Sequence, residues 1–343
     1  MGYYSCQMLE GMGLHINGRI DCGKEVIGFC CENLENIPKV AFSASPVEML
    51  RNFVGQRGLA IAESKKCGDR SAERRFTSGC QKCGYFQNRS WASDGLIHYV
   101  NLSMYPSPCQ CRCIYCGIPQ QDQNARSEAA KAAYETLFDM LEIAENCGII
   151  APDAAWQISC GEIAIHPYKD RIMRLVRAKN AVFYTNCIKF DEDIAGNLHN
   201  NPNSSINLSI DAGTAQTWRR VKGLDNFEQI TSNLARYYAE SAKPGQITLK
   251  YIVLPDVNDI YEDYVSLVEI MKVLEVPSLL LSRDTRVKYT ISQEECTKLT
   301  GAAAYLLAIC GKNGISCSLS NYTPEESRQI VEMAKEILRM GQI

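Results

Sequence analysis

The sequence predicts an α/β fold in which a partial (β/α)6 barrel follows a small cysteine-rich N-terminal domain and precedes a C-terminal α/β extension. From Ile97 onward, short apolar runs alternate with helical patterns, which is typical of parallel strands joined by crossover helices. The chain has 343 residues, enough for one large domain and a smaller one. Eleven of its 17 cysteines lie in the first 116 residues. We therefore expect domains over residues 1–92, 93–285 and 286–343.

The composition excludes several classes of protein. A hydrophobic content of 46% and a charged content of 22% are ordinary for a globular chain. The net charge of −3 gives no global basic field, so nucleic acid is not indicated as a partner. No apolar run approaches the roughly 20 residues that cross a bilayer, and the N-terminus lacks the features of an export signal. We therefore expect no membrane partner and a reducing, cytoplasmic location, where cysteines serve metal binding or catalysis.

The first ninety residues predict a small hairpin, a helix and a cysteine pair. Residues 13–22 are interpreted as a strand, a turn at Asn17-Gly18 and a return strand, because Asn-Gly is a strong hairpin signal. A helix is expected from about Ser45, with Pro46 in its first turn. The charged stretch around Cys67 is expected to be a solvated loop.

Six strand–helix units are predicted after this region, followed by a helix, a short strand and a last helix. The helix after the first strand should begin at Ser127, a good N-cap residue. In parallel barrels, ligands gather where the strands end, so residues that follow strand ends are the candidates for chemistry. The strands are predicted over residues 97–104, 156–159, 181–184, 205–210, 247–254, 278–281 and 315–319, and the C-terminal helices over 287–306 and 324–340.

The most distinctive stretch, Cys-Gln-Cys-Arg-Cys-Ile-Tyr-Cys, follows the first of these strands. Read as Cys-x3-Cys-x2-Cys, it selects Cys109, Cys113 and Cys116 and leaves Cys111 over. Three close thiolates can hold three corners of a cubane iron–sulfur cluster, so that the fourth iron has no protein ligand. A structural zinc site also uses closely spaced cysteines and is the alternative.

With Tyr115 before the last cysteine, this stretch resembles the motif of radical S-adenosylmethionine (SAM) enzymes. The resemblance, carried by residues 97–285, implies a [4Fe-4S] cluster whose open iron binds SAM. It also implies reductive cleavage of SAM to methionine and a 5′-deoxyadenosyl radical, which abstracts a hydrogen atom from the substrate. A flavodoxin- or ferredoxin-type protein is the reductant that this chemistry implies.

The resemblance also implies residues that contact SAM. Cys160-Gly161-Glu162 is similar to the family's Gly-Gly-Glu segment, in which glycine allows close approach and the carboxylate accepts from the SAM amino group. Thr185-Asn186 is similar to Thr-Asn-Gly, with Cys187 in the place of glycine. The SAM contacts that it implies are Tyr115, Gly161, Glu162, Asn186, Ser209, Asp211 and Lys222.

The position of Lys222 departs from the family, which usually has arginine there to pair with the SAM carboxylate. Lysine supplies the charge without the bidentate fork. Arg219 and Arg220 are possible substitutes, and the alternative is an exposed basic helix face. His166, which follows the Gly161-Glu162 segment, is either an acid or base or a structural residue.

The order of the N-terminal cysteines is similar to half of a SPASM module, an accessory of many radical SAM enzymes that holds auxiliary clusters, although here it precedes the barrel. The resemblance implies a probable auxiliary [4Fe-4S] cluster, and a zinc ribbon is the alternative. Iron and sulfide content would separate the two. The expected ligands are Cys6, Cys30, Cys80 and Cys83, with Cys22 and Cys31 as substitutes.

The resemblance therefore predicts a radical SAM enzyme, an oxidoreductase or maturase type that modifies a peptide or protein. One alternative is a radical SAM enzyme acting on a sugar or other small molecule. The alternative from another class is a non-catalytic zinc or iron–sulfur binding protein, which would show no SAM turnover.

Overall fold

The computed structural model describes residues 2–31, 37–67, 75–118, 124–284, 292–341 and 343. The chain forms two compact units. The first contains residues 1–108 and 121–182, and the second contains residues 109–120 and 183–343. The predicted domain boundary at 92/93 remains a prediction, and the one at 285/286 lies outside the described residues.

The first unit has a mixed sheet in the order β7-β6-β2-β3-β4, parallel from β7 to β2 and antiparallel from β2 to β4, and a separate antiparallel pair, β1 with β5. A 3-10 turn over Ser78–Lys82 carries the Cys80–Cys83 pair. Its elements are β1 (Tyr3–Ser5), α1 (Gln7–Glu10), β2 (Gly13–Arg19), β3 (Glu25–Gly28), β4 (Val40–Ala41), α2 (Pro46–Lys66), β5 (Gln87–Arg89), β6 (Ile97–Tyr105), α3 (Glu128–Asn146), β7 (Ile150–Ile158) and α4 (Lys169–Val176).

The predicted turn at Asn17-Gly18 is wrong. Strand β2 continues through both residues to Arg19 and pairs in parallel with β6 along its whole length. The chain reverses only afterwards, into the antiparallel strand β3. Pairing with a strand some eighty residues away thus outweighs the local turn preference of Asn-Gly, because strand formation depends on tertiary partners.

The helix starts follow the predicted capping. The Ser45 hydroxyl accepts from the backbone N–H of Glu48 at the start of α2, and Pro46 occupies the first turn. The Ser127 hydroxyl accepts in the same way from Ala130 at the start of α3. Both predicted N-caps are confirmed.

The second unit has strands in the order β12-β11-β10-β9-β8, and the pairs from β9 to β12 are parallel. Strand β8 begins at the last residues of the first unit. The chain is therefore an α/β protein with mostly parallel sheet. The elements are β8 (Ala181–Thr185), α5 (Glu192–Asn200), β9 (Ser205–Ser209), α6 (Ala215–Lys222), α7 (Phe227–Glu240), β10 (Ile247–Val253), α8 (Tyr261–Val273), β11 (Ser278–Arg283), α9 (Gln293–Lys312), β12 (Ser316–Ser320) and α10 (Pro324–Met340).

Strands β9 to β11 have one apolar and one polar face. Alternate residues of a strand point to opposite sides, and register partners in neighbouring strands share a side. One side is buried and carries residues such as Leu208, Leu249 and Leu279. The other side, which we call the polar face, carries Asn207, Ser209, Thr248, Lys250 and Ser278, with one leucine, Leu280, as the register partner of Lys250. Strands of a fully covered parallel sheet are usually apolar on both sides, so the polar face is the unusual one.

Within the residues that the structure describes, no helix is both long and apolar enough to traverse a bilayer.

Candidate metal and cofactor site

The loop that carries Cys109, Cys113 and Cys116 lies in the second unit, where it is fastened to the end of α6. The backbone N–H of Arg112 donates to the carbonyl of Lys222 at 2.9 Å, and that of Ile114 donates to Val221 at 3.0 Å. Carbonyls in the last turn of a helix have no partner inside the helix, so the loop supplies the missing donors.

Three of the four thiols in this loop are in contact. Cys111 is buried, and its thiol hydrogen-bonds to the sulfurs of Cys109 and Cys113, which raises the pKa of Cys111. The same hydrogen bond from Cys111 lowers the pKa of Cys113 to about 6, and the charge of Lys222 acts in the same direction. Cys113 thus favours the thiolate, which is the form that ligates metal. Sequence reasoning left Cys111 without a role.

The two outer cysteines of the motif have different surroundings. Asn186 donates from Nδ2 to the Cys109 sulfur at 3.6 Å and to Gln110 Oε1 at 3.1 Å. Cys116 is exposed, with its sulfur 3.6 Å from the carbonyl oxygen of Ile118. The structure therefore brings Asn186, predicted as a SAM contact, against a predicted cluster ligand.

In the described ranges of the chain, no three His, Cys, Asp or Glu side chains surround one point closely enough to hold a single metal ion. The cysteine ligands of a cubane bind different iron atoms, so they are spaced more widely than the ligands of one ion. The donor set of the loop, thiols beside a buried cation, fits an anionic iron–sulfur cluster.

The buried cation belongs to a three-residue network that links the loop to β9 and α6. Lys222 is only 2% exposed, and its Nζ lies 2.5 Å from both Asp211 Oδ2 and Tyr115 Oη. Tyr115 also donates to Asp211 Oδ2. Asp211 is 0% exposed, and its other carboxylate oxygen accepts from the backbone N–H of Ile252 at 2.6 Å. The network leaves the carboxylate of Asp211 fully engaged.

Asp211 and Lys222, both implied as SAM contacts, are thus each other's partners. Burial alone would lower the pKa of Lys222, but the charge of Asp211, its hydrogen bond and the neighbouring thiolates together outweigh burial and raise it. The alternative of an exposed basic face does not fit Lys222, because its side chain is buried. Of the two proposed substitutes, Arg219 pairs with Asp225 at the surface and Arg220 donates to the carbonyl of Val257 at 2.9 Å.

Cys187 occupies the position where the family has glycine, and its backbone adopts a conformation that glycine prefers. Its φ of +55° lies in the left-handed region, which is uncommon for residues with a Cβ. Asn233 stabilises this turn by donating to the carbonyls of Cys187 and Ile188 at 2.9 Å and 3.0 Å. The departure in sequence therefore leaves the turn that follows β8 in place.

In the first unit, position 161, after β7, requires glycine because the backbone at Pro108 passes close to it. Its φ is +61°, and a Cβ there would lie 2.5 Å from the carbonyl oxygen of Pro108. The next residue, Glu162, donates its backbone N–H to that oxygen at 2.7 Å. The Glu162 carboxylate is buried and accepts from the N–H of Ala164 at 3.0 Å, so it caps the short turn that follows.

His166 has a structural environment. Burial lowers its pKa to about 3, so the ring is neutral. Its Nδ1 accepts from the backbone N–H of Tyr168 at 3.2 Å, and therefore its Nε2 carries the proton and donates to Tyr134 Oη at 3.2 Å. Tyr134 in turn donates to the carbonyl of Pro106 at 2.8 Å. This chain of hydrogen bonds positions the segment after β6, which favours the structural alternative for His166.

A second cysteine-rich site lies within the first unit. A cavity of about 340 Å³ is bounded by five cysteines from three separate segments and by aromatic and thioether side chains, and we call it the five-cysteine cavity. The four cysteines predicted as auxiliary ligands are all among its walls. Its lining residues are Cys6, Gln7, Met8, Phe29, Cys30, Cys31, Cys80, Cys83, Tyr85 and Phe86.

Cys22 and Cys31, the two cysteines predicted as substitute ligands of the auxiliary cluster, have different surroundings. Cys31 lines the five-cysteine cavity, whereas Cys22 is exposed and its thiol lies 3.6 Å from the carbonyl of Arg19. Burial raises the pKa of Cys6 to about 11, and its sulfur accepts from the N–H of Leu9 at 3.4 Å as the N-cap of α1. A metal bound there would have to displace the Cys6 proton.

The chain was compared with known proteins. No family model matches it. It is 26% identical over 167 residues to GTP 3′,8-cyclase of Geobacter sulfurreducens, covering 48% of both chains, and 25% identical over 166 residues to GTP 3′,8-cyclase of Pasteurella multocida, covering 47% of both. The sequence relatives support the radical SAM superfamily for this chain. The matched region spans about half the length of these relatives.

Two solved structures show limited likeness. SuiB of Streptococcus suis bound to its precursor peptide SuiA matches with a TM-score of 0.49 and 13% identity, over 66% of this chain and 49% of SuiB. A radical SAM methyltransferase of Sphaerobacter thermophilus matches with a TM-score of 0.41 and 14% identity, over 62% of this chain and 63% of the methyltransferase.

Proposed function

We propose that this protein is a radical SAM enzyme that cleaves S-adenosylmethionine reductively and abstracts a hydrogen atom from its substrate. The observation that carries the proposal is the Cys-x3-Cys-x2-Cys loop, in which Cys109 and Cys113 both contact the Cys111 thiol and Cys113 lies beside the buried Lys222. Cys109, Cys113 and Cys116 would hold the cluster. When bound and reduced, the cluster supplies the electron that breaks a carbon–sulfur bond of SAM. We further propose that β6 to β11 are the six strands of a partial (β/α)6 barrel.

The chain's own residues would hold the loop and exclude water around it. The backbone bonds to Val221 and Lys222 fix the loop against α6. The network of Lys222, Asp211 and Tyr115 places a cation beside Cys113 and limits the access of water, because its members are largely buried. Gly161 and Glu162 remain proposed SAM contacts, whereas Ser209, which the sequence also placed at SAM, lies beside Lys250 on the polar face. The protein thus contributes orientation and electrostatics, and the cofactor carries the bond cleavage.

The experiment that tests this function is anaerobic reconstitution with iron and sulfide, followed by reduction with dithionite and addition of SAM. We expect 5′-deoxyadenosine and methionine to form, as measured by liquid chromatography and mass spectrometry. A flavodoxin or ferredoxin is the proposed physiological reductant and should replace dithionite. A protein that stays colourless after reconstitution and leaves SAM intact would instead fit the non-catalytic binding protein.

We propose that the five-cysteine cavity holds an auxiliary [4Fe-4S] cluster in a SPASM-like N-terminal module. Support comes from its walls, where Cys6, Cys30, Cys80 and Cys83 converge although the sequence separates them. Four thiolates would close the cluster and suit it to electron transfer, whereas three would leave an iron open to substrate. A zinc site built from the same cysteines is the alternative.

The variant lacking Cys109, Cys113 and Cys116 isolates this second site. If the five-cysteine cavity holds a cubane, about four irons per chain should remain in the reconstituted triple variant. Adding Cys80→Ala should then remove that iron, whereas adding Cys22→Ala, at an exposed cysteine outside the cavity walls, should leave it. Zinc in place of iron, or no metal at all in the triple variant, would contradict the auxiliary cluster.

The substrate that we propose is a peptide or protein. The SPASM-like order of the N-terminal cysteines is compatible with it, since enzymes with such modules modify peptides or carry out sugar and amino-sugar chemistry. A small molecule such as a sugar or nucleotide is the second candidate, and the sequence relatives favour it because their names describe a reaction of GTP. A neighbouring gene for a short precursor peptide would support the first, and neighbouring genes for sugar-nucleotide enzymes would support the second.

A further inference from the structure

The polar face of β9 and β10, as far as the structure describes it, carries a lysine without a direct ion pair. Among the described residues, the ammonium group of Lys250 makes no hydrogen bond or ion pair, although the side chain is half-buried on the sheet. A partly buried charge without a partner is unfavourable unless a ligand or another group compensates it. Burial lowers the pKa of Lys250 and the charge of Lys222 acts in the same direction, whereas the charge of Asp211 opposes them in part.

A second polar group on the same face also lacks a partner. Asn207 is 8% exposed, and its Oδ1 makes no hydrogen bond with any described residue. Buried amide oxygens are normally hydrogen-bonded, so an orphaned one in a native site points to a missing donor. Asn207 is the register partner of Thr248, and Ser209 is the register partner of Lys250. These side chains therefore lie side by side on two neighbouring strands.

These side chains of the polar face lie next to the network of Lys222, Asp211 and Tyr115. Lys250 accepts the backbone N–H of Ile210 at 3.0 Å, one residue before Asp211. Its ammonium also interacts electrostatically with Asp211 and Lys222. Because Lys222 is already paired with Asp211, Lys250 is, within the described part of this face, the cation without a direct ion pair and is available to a ligand.

We propose that Lys250, Ser209 and Asn207 form a substrate subsite that binds an anionic oxygen group, either a carboxylate or a phosphate. The ammonium of Lys250 supplies the charge, the hydroxyl of Ser209 donates or accepts a hydrogen bond, and Asn207 Oδ1 accepts from a donor on the same substrate. This inference rests on the proposed function, because it treats the polar face as the place where the substrate lies. A peptide substrate would bring a carboxylate to this subsite, and a nucleotide would bring a phosphate.

The test is residue-resolved competitive acetylation of the reconstituted holoenzyme, performed anaerobically in samples with and without SAM and read by mass spectrometry. The probe anions are inorganic phosphate in one arm and succinate in the other. At a concentration about ten times its Kd, the anion that fits should slow acetylation of Lys250 by about tenfold, since only the free site reacts. Protection by phosphate alone identifies a phosphate site, and protection by succinate alone identifies a carboxylate site.

Matched controls come from the same chain. Lys131, which is exposed and paired with Glu128, should be acetylated at an unchanged rate. Ser209→Ala should weaken the protection of Lys250, whereas Ser205→Ala, further along the same strand, should leave it unchanged. The proposal is overturned if neither anion protects Lys250, if Lys131 is protected equally, or if SAM alone blocks the labelling, because Lys250 would then serve the cofactor.

The two proposals fail separately. Formation of 5′-deoxyadenosine is measured in the same samples. Cleavage of SAM without protection of Lys250 contradicts the anion subsite alone. Protection of Lys250 supports the subsite whether or not SAM is cleaved, and absence of cleavage contradicts only the proposed function.

Discussion

Replacing Cys113 by alanine is expected to abolish 5′-deoxyadenosine formation under a strong reductant. Cys113 is the middle cysteine of the motif, and its thiolate is favoured by the hydrogen bond from Cys111 and by the charge of Lys222. A cubane that loses one of only three protein ligands has two left, so the cluster should not assemble stably. Product formation should fall below detection, and the iron content at this site should fall with it.

The control for this substitution is Cys111→Ala in the same loop. The Cys111 thiol hydrogen-bonds to the sulfurs of Cys109 and Cys113, but Cys111 falls outside the Cys-x3-Cys-x2-Cys spacing. We expect this variant to retain its iron and to cleave SAM. Wild-type product formation by Cys113→Ala, or loss of iron in Cys111→Ala with Cys113→Ala unaffected, would show that the ligand set is wrong.

The second large effect is expected on stability. Lys222→Met should lower the free energy of unfolding by about 3–5 kcal/mol, because the substitution leaves the Asp211 carboxylate buried without its cation. Methionine matches the length of the lysine side chain, so lost packing contributes little. Urea unfolding of the anaerobically reconstituted protein, followed by circular dichroism, measures the change.

Two further variants separate the charge effect from other causes. Lys131→Met removes a lysine whose ion pair with Glu128 is exposed, and it should leave the unfolding midpoint unchanged. Adding Asp211→Asn to Lys222→Met removes the uncompensated charge and should restore part of the lost stability. An unchanged midpoint in Lys222→Met would mean that the buried pair does not stabilise the fold.

Local signals in the sequence predicted much of the fold. The N-caps Ser45 and Ser127 and the last helix, α10, occur where the patterns placed them, because capping and helical periodicity depend on nearby residues. The turn at Asn17-Gly18 failed for the opposite reason. The partner of β2 is β6, and no local pattern reports a pairing over such a distance.

The candidate sites show the same division. The spacing of Cys109, Cys113 and Cys116 and the order of the N-terminal cysteines could be recognised in the sequence. The four N-terminal cysteines predicted as ligands line one cavity. The pairing of Lys222 with Asp211 could not be read, because a charged residue gives no local sign of its partner. The missing hydrogen bond of Asn207 could not be read either, since burial of a polar residue in a strand depends on what packs around it.

Because of the hydrogen bonds between α6 and the loop that carries Cys109, Cys113 and Cys116, the order of each depends on the order of the other. The amides of Arg112 and Ile114 satisfy carbonyls that the last turn of α6 cannot satisfy by itself. Loss of order in the loop would therefore uncap that helix, and fraying of the helix would release the loop. A substitution that disorders the loop should therefore also leave the carbonyls of Val221 and Lys222 without these donors.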